Sequence, residues 1–202
     1  MEIKRLGHSS FKIRGNDLVL YIDPYDLKET EAADLILITH DHYDHCSVRD
    51  IDRIRTDETV IIAAEGCAVS GDPRQMRPGD KMTVKGIEIE AVPAYNINKP
   101  FHPKAKGNLG YIISIEGKRV YHAGDTDLIP EMNDVTCDIA LLPVSGTYVM
   151  NPREAAKAAD IIRPSLVAMP MHYGSGQVGI MDDAESFEKS TEVRVVFDQY
   201  NC

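Results

Sequence analysis

Nowhere in the 202 residues does an apolar run approach the roughly 18 needed to cross a bilayer, and basic residues are outnumbered, 22 Lys and Arg against 32 Asp and Glu. The first deficit argues against a membrane span. The second leaves a formal net charge of -10 and excludes the basic groove by which proteins hold a nucleic-acid backbone through counterion release, so general nucleic-acid binding is not expected. Cysteine is scarce too. Cys46, Cys67, Cys137 and Cys202 are scattered without a CxxC pair, so no secreted disulfide framework is expected and the thiols read as reduced. The opening "MEIKRLGHSSFKI" alternates like a strand and lacks the apolar stretch of a signal peptide. A cytoplasmic protein acting on a small molecule is expected; a homo-oligomer is compatible with this but not required.

Against those absences stands an apolar content of 43%, enough for a proper core in a chain of single-domain size, and no linker or charge block divides residues 1–202. Short apolar or alternating runs recur throughout, among them "SFKIR", "LVLYI", "DLILIT", "TVIIAA", "IEIEAVP", "GYIISI", "DIALLPV", "SLVAMPM" and "VRVVF". Helical patterning marks "SVRDIDRIR", "DDAESFEKS" and, most clearly, "NPREAAKAADIIR", where Asn151 suits the N-cap, Pro152 the first helical position and Glu154 a capping box. An α/β architecture of two sheets flanked by helices is expected. A faint repeat supports it. Gly15 precedes Asp23, and Gly117 precedes Asp125, by the same spacing, and each unit is followed by an Asp opening an apolar strand, Asp34 and Asp138.

Histidine is distributed unevenly: three of the seven lie between His40 and His45 in "THDHYDH". His40 and His42 are two apart, so on an extended exit from "DLILIT" they face one side and can share a cation. Asp44 and His45 fall in the turn into the next helix, where they more readily serve a second. Crowded imidazoles would weaken a fold unless something cationic took their lone pairs, and a carboxylate between them offsets the repulsion of two ions. Metal binding is the reading.

"THDHYDH" resembles the HxHxDH signature of the metallo-β-lactamase superfamily, and "YIDP", "HAGDT" and "PMHY" follow in that superfamily's order. "LGHSSF", "IDPY" and "HAGDT" are most similar to a small branch that includes L-ascorbate-6-phosphate lactonase and Zn-dependent hydrolases. The resemblance implies a four-layer αβ/βα sandwich with two divalent metal ions at one edge, Zn2+ first, with Mn2+ or Fe2+ as alternatives. It implies that His40 and His42 hold the first ion, Asp44, His45 and His172 the second, and that Asp125 bridges them. Where many relatives carry Pro-x-x-His, this chain has Asn96. His102 is the available substitute, with Asn96 or solvent as the alternative. Asp23 reads as a carboxylate orienting a ligand histidine, and His8 and His122 as buried hydrogen-bonded residues supporting the site.

Such a centre implies a metal-bridged hydroxide that hydrolyses an ester, lactone or phosphodiester of a small, anionic substrate, with Asp44 aiming the water and carrying its proton. No GxSxG elbow offers another nucleophile. Substrate choice falls to loops 94–108, 145–150 and 173–181, where Tyr148 and Tyr173 are candidate lining residues. Lys99, Lys104 and Lys106 are a local basic excess that either steers an anion or is a solvated face. Two further readings stand. A flavodiiron-like oxidoreductase would resemble HxExDH, against which His42 argues, and a non-enzymatic metal-binding protein draws on Asn96.

Overall fold

Ile87–Pro93 alternates between buried and exposed side chains, the period of a strand with one wet face, whereas Leu35–Ile38, Ile139–Pro143 and Val167–Met171 are buried throughout. Continuous burial belongs to parallel strands covered on both faces. In the computed structural model, which describes residues 1–176 and 178–202, these strands fall into two mixed sheets. The first holds β1 (Glu2–Gly7), β2 (Ser10–Gly15), β3 (Leu18–Ile22), β4 (Leu35–Ile38), β5 (Val60–Ala64), β6 (Arg74–Met76) and the C-terminal β13 (Gln199–Asn201), ordered β13-β1-β2-β3-β4-β5-β6. The second holds β7 (Lys81–Val84), β8 (Ile87–Pro93), β9 (Leu109–Ile115), β10 (Lys118–His122), β11 (Ile139–Pro143) and β12 (Val167–Met171), ordered β12-β11-β10-β9-β8-β7.

Both sheets feed one apolar cluster that includes Phe11, Ile22 and Ile36 from the first and Tyr111, Ile113 and Leu141 from the second. The Tyr111 hydroxyl crosses between them to donate to the Ile38 carbonyl at 2.8 Å. Helix α1 (Val48–Ile54) buries Ile51 and Ile54 and is capped by Ser47. Helix α2 (Pro152–Ile162) has the expected start: Asn151 accepts from the Arg153 and Glu154 amides, and Glu154 closes the box. It packs on α3 (Met181–Glu188), and the pair lies against β11 and β12. This is the αβ/βα sandwich expected. No described helix is long and apolar enough to cross a membrane.

Two expectations shift in detail. "VRVVF" is not a strand; within it only Val195 bridges, to Ala168, and the terminal pairing with β1 comes instead from β13. The repeat is real as architecture, since β2-β3 and β9-β10 are hairpins that each continue into a parallel strand, β4 and β11. Asp34 accepts from the Val19 amide at 2.9 Å and Asp138 from the Arg119 amide at 2.8 Å, the same contact in each half. Pairing aligns Gly15 with Ile115, however, because Gly15 faces Leu18 and Ile115 faces Lys118. Asp23 therefore corresponds to Ala123, and the matching glycine spacings were a coincidence of turn composition.

The loop between β3 and β4 is tied down by Lys12, a buried amine that donates to Glu29 at 2.6 Å and Glu31 at 3.2 Å, while Lys4 donates to Glu29 at 2.8 Å. Hydrogen bonds from Lys12 and Lys4 lower the Glu29 carboxyl from its ordinary 4.5 to about 2. A depressed folded-state value stabilises above the unfolded one and is lost on acidification, so the contribution is complete above about 4.5 and fades towards 2. Urea unfolding at pH 7 and pH 3 should show Glu29→Gln losing less stability on acidification than the wild type.

Candidate metal centre

The segments leaving β3, β4, β8, β10 and β12, with the β1–β2 turn, gather Asp23, His40 to His45, His102, Asp125, His172 and His8 at one place. Three sets of ligand atoms, each within 4.8 Å of one another, result: His40, His42 and His102; His8, Asp44, His45 and His172; and His40, His45 and Asp125. Asp125 is central. Its Oδ2 lies 3.1 Å from His172 Nε2, 3.4 Å from both His45 Nε2 and His102 Nε2, and 4.0 Å from His40 Nε2.

Each imidazole is aimed by what its other nitrogen touches. Asp23, fully buried, accepts from the Thr39 amide at 2.8 Å, the Thr39 hydroxyl at 2.6 Å and His45 Nδ1–H at 2.7 Å. Having spent its proton on Asp23, the Thr39 hydroxyl accepts His40 Nδ1–H at 2.9 Å. One carboxylate thus turns the Nε2 of two histidines inward. Asn96 does the same for His102. Its Oδ1 accepts the His102 amide at 2.9 Å and Nδ1–H at 3.2 Å, and its own orientation is set because Nδ2 donates to Asp127 at 3.1 Å and to the Tyr148 carbonyl at 2.9 Å. His172 Nδ1 pairs with Ser145 Oγ at 2.7 Å. Among the nitrogens turned inward, His40 Nε2 and His102 Nε2 lie 3.0 and 3.3 Å from His42 Nδ1.

That convergence fits cations and little else. His8 Nε2, His45 Nε2 and Asp125 Oδ1 are buried with no hydrogen-bond partner among the described residues. His8 Nε2 lies 3.1 Å from Asp44 Oδ2, but not aligned to donate to it. Unsatisfied buried polar atoms are costly, and a set of neutral nitrogens with carboxylate oxygens is the donor chemistry of divalent metals. Burial lowers His40, with the neighbouring His45 adding to it, and burial likewise lowers His42, His102 and His8, favouring their neutral forms. Burial opposes charge on His45, but Asp125 and Asp23 on either side outweigh it and raise the group well above its ordinary value. Burial would likewise raise Asp44, yet the histidines around it, His8 first, bring it down to about 2.

The candidates from the sequence separate cleanly. His40, His42, Asp44, His45, His102, Asp125 and His172 all meet, Asp23 orients two of them, and Asn96 sits behind His102. Tyr148 lines the cavity of about 730 Å³ that opens onto the cluster, together with Asp41, Tyr43 and Phe101. Tyr173 does not. It is buried, with Arg5 stacked 4.0 Å over its ring. The lysines are spoken for as well: Lys99 pairs with Asp127, Lys104 with Glu131 and Lys106 with Asp41. The basic loop is thus ion-paired, with Lys104 still well exposed and Lys106 close to His42. His122 is a satisfied core histidine, its Nε2–H donating to the Ser9 carbonyl at 3.0 Å. His8, which the sequence offers as a supporting residue, stands with Asp44, His45 and His172 in one set of candidate ligands. It sits in the left-handed region in a turn two strands away from "THDHYDH", and its carbonyl accepts the His172 amide at 2.9 Å. Thr39 and Ser145 carried no signal in the sequence, since any hydroxyl could fill such a place.

The Beta-lactamase superfamily domain profile matches residues 2–172. The chain belongs to the metallo-β-lactamase superfamily. Within that superfamily it is 35% identical to the UPF0173 metal-dependent hydrolase of Methanopyrus kandleri over 95% of this chain and 92% of that protein. It is 33% identical to the corresponding protein of Thermococcus onnurineus over 94% and 91%. A solved structure from Parabacteroides distasonis superposes with a TM-score of 0.86 at 34% identity, covering 97% of this chain and 91% of that one. Igni18, a metallo hydrolase from Ignicoccus hospitalis, superposes at 0.76 with 25% identity, covering 100% and 98%.

The superfamily's Gly-Asp turn has a steric reason here. Gly124 takes φ +66°, and a Cβ on it would meet the Leu109 carbonyl oxygen at 2.4 Å. Gly124→Ala should cost about 2 kcal/mol or more in urea unfolding, whereas Gly117→Ala, which has a similar φ but open space around it, should cost less.

Proposed function

We propose that this centre holds two divalent ions, Zn2+ first, and that the chain is a metal-dependent hydrolase cleaving an ester or lactone bond in a small molecule. The observation that carries the reading is the convergence of inward-facing imidazole nitrogens on one another and on Asp125 Oδ2 beside an open cavity, with His8 Nε2 and His45 Nε2 buried and without a hydrogen-bond partner among the described residues. His40, His42 and His102 would hold one ion, Asp44, His45, His172 and His8 the other, and Asp125 would face both. The relatives in Methanopyrus and Thermococcus carry the name metal-dependent hydrolase, which supports the same class of activity here. When bound, a dinuclear centre of this kind lowers the pKa of water to about 7 and polarises a carbonyl or phosphoryl oxygen.

The chain's own residues supply the rest. Asp44 lines the cavity and stays ionised at neutral pH, so its carboxylate accepts a hydrogen bond from the attacking water and aims it. Asp23, Thr39 and Asn96 hold the imidazoles so that nothing has to reorganise when substrate enters. Phosphodiester cleavage is the second reading, because the same floor would receive a phosphoryl group. The flavodiiron-like and non-enzymatic readings find less support. His42 occupies the position where the former resembles glutamate, and a cavity opening on the ligand atoms argues against the latter.

Purified protein loaded with zinc should hydrolyse members of a panel of chromogenic esters and lactones, and Asp125→Ala should lose that turnover by about 100-fold or more together with bound metal. Iron with oxygen consumption, or full metal with no turnover of any panel member, would overturn the reading. Asn96→Ala, which frees the His102 ring, should weaken one zinc equivalent by about 10- to 100-fold in calorimetric titration and leave the other nearly unchanged. His8→Ala should weaken the opposite equivalent.

A further inference from the structure

We infer that the part of the substrate away from the reacting bond is an uncharged aromatic or branched aliphatic group, seated on Phe101, Tyr148 and Tyr43. The inference rests on the hydrolase reading above and specifies its substrate class.

Three independent features of the cavity point the same way. The first is where apolar surface is left in water. Among the described residues the large exposed apolar side chains are Tyr43, Val48, Ile97, Phe101, Ile180 and Met181, and they come from three short segments. Two of these contribute Tyr43 and Phe101 to the cavity walls, and the third adjoins Val178, which also lines it. Scattered apolar residues need no explanation, but aromatics gathered around a concave site beside ligand atoms mark a surface meant to be covered.

The second feature is that the wall is already built. Phe101 and Tyr148 meet edge to face with ring centroids 4.6 Å apart. Tyr148 is anchored through its backbone carbonyl to Asn96, which also fixes His102, the residue after Phe101. An apolar arm placed there gains burial without ordering the wall first.

Charge is the third. Among the described residues neither Lys nor Arg lines the cavity. Lys99 is committed to Asp127 and to the Val149 carbonyl, and Lys106 to Asp41, the one carboxylate of the wall outside the candidate ligand set. A carboxylate or phosphate on the distal arm would leave water for aromatic faces and the Asp41 carboxylate, and Lys106, the cation beside His42, is already paired with that carboxylate. The lysine-rich loop of the sequence thus holds its charges against carboxylates, with Lys99, Lys104 and Lys106 each in an ion pair.

The test needs no turnover. Zinc-loaded protein is titrated calorimetrically with two hydroxamates that share a chelating head, 4-phenylbutyrohydroxamic acid and the monohydroxamate of succinic acid. The phenyl arm should bind at least about 10-fold tighter than the carboxylate arm. Phe101→Ala and Tyr148→Ala should each weaken the phenyl arm about 5-fold or more while changing the carboxylate arm less than about 2-fold, and Phe101→Leu should recover most of the loss. Equal or tighter binding of the carboxylate arm, or variants that weaken both arms alike, overturns the assignment. Binding of neither hydroxamate overturns it along with the metal centre. The expected preference in a protein that hydrolyses no ester or lactone leaves the inference standing and removes only the reaction assigned above.

Discussion

A buried imidazole whose outer nitrogen is committed to an acceptor has one lone pair left, and its direction is no longer free. This constraint organises the molecule. Asp23 imposes it on His45 directly and on His40 through Thr39, and Asn96 imposes it on His102. The resulting nitrogens face one another and Asp125 across a few ångströms of low-dielectric space, a donor set suited to divalent cations. The strand ends that present them are held by the apolar cluster between the sheets and by helices α2 and α3 over β11 and β12.

The layout also explains which positions tolerate unusual backbone. His8, Asp23 and His172 all take positive φ, conformations that cost a non-glycine residue about 1 kcal/mol or more. Each lies where a strand gives way to the site, and each has its side chain inside the cluster or its immediate support. Turning sharply there is what lets short segments from both sheets point at one spot instead of continuing past it. Gly124 does the same for Asp125 with a residue that turns freely, since the Leu109 carbonyl leaves no room for a side chain.

Candidate ligands and cavity wall come from parts of the same loops. Loop 94–108 delivers His102 to the floor and Phe101 to the wall, and its lysines bind it to Asp127, Glu131 and Asp41. A basic segment in an acidic chain invites an electrostatic reading, and each of these lysines is ion-paired with an acidic neighbour. The aromatic side chains of Tyr43, Phe101 and Tyr148 share the cavity wall with Asp41 and Val178.

The amino-acid sequence by itself determined the elements that obey local rules. Period-2 alternation and continuous apolar runs placed most strands, the Asn151-Pro152-Glu154 start placed α2, and the density of histidine and aspartate in "THDHYDH" marked a candidate metal-ligand segment, because these depend on neighbours within a few residues. Only the tertiary structure decided that Asn96 supports His102 instead of competing with it, that His8 joins Asp44 from a distant turn, that Tyr173 turns away to Arg5, and that the lysines are paired. Each of those outcomes depends on contacts between residues far apart in the chain, set by how the two sheets stack and where their strands end, and no local pattern encodes that distance.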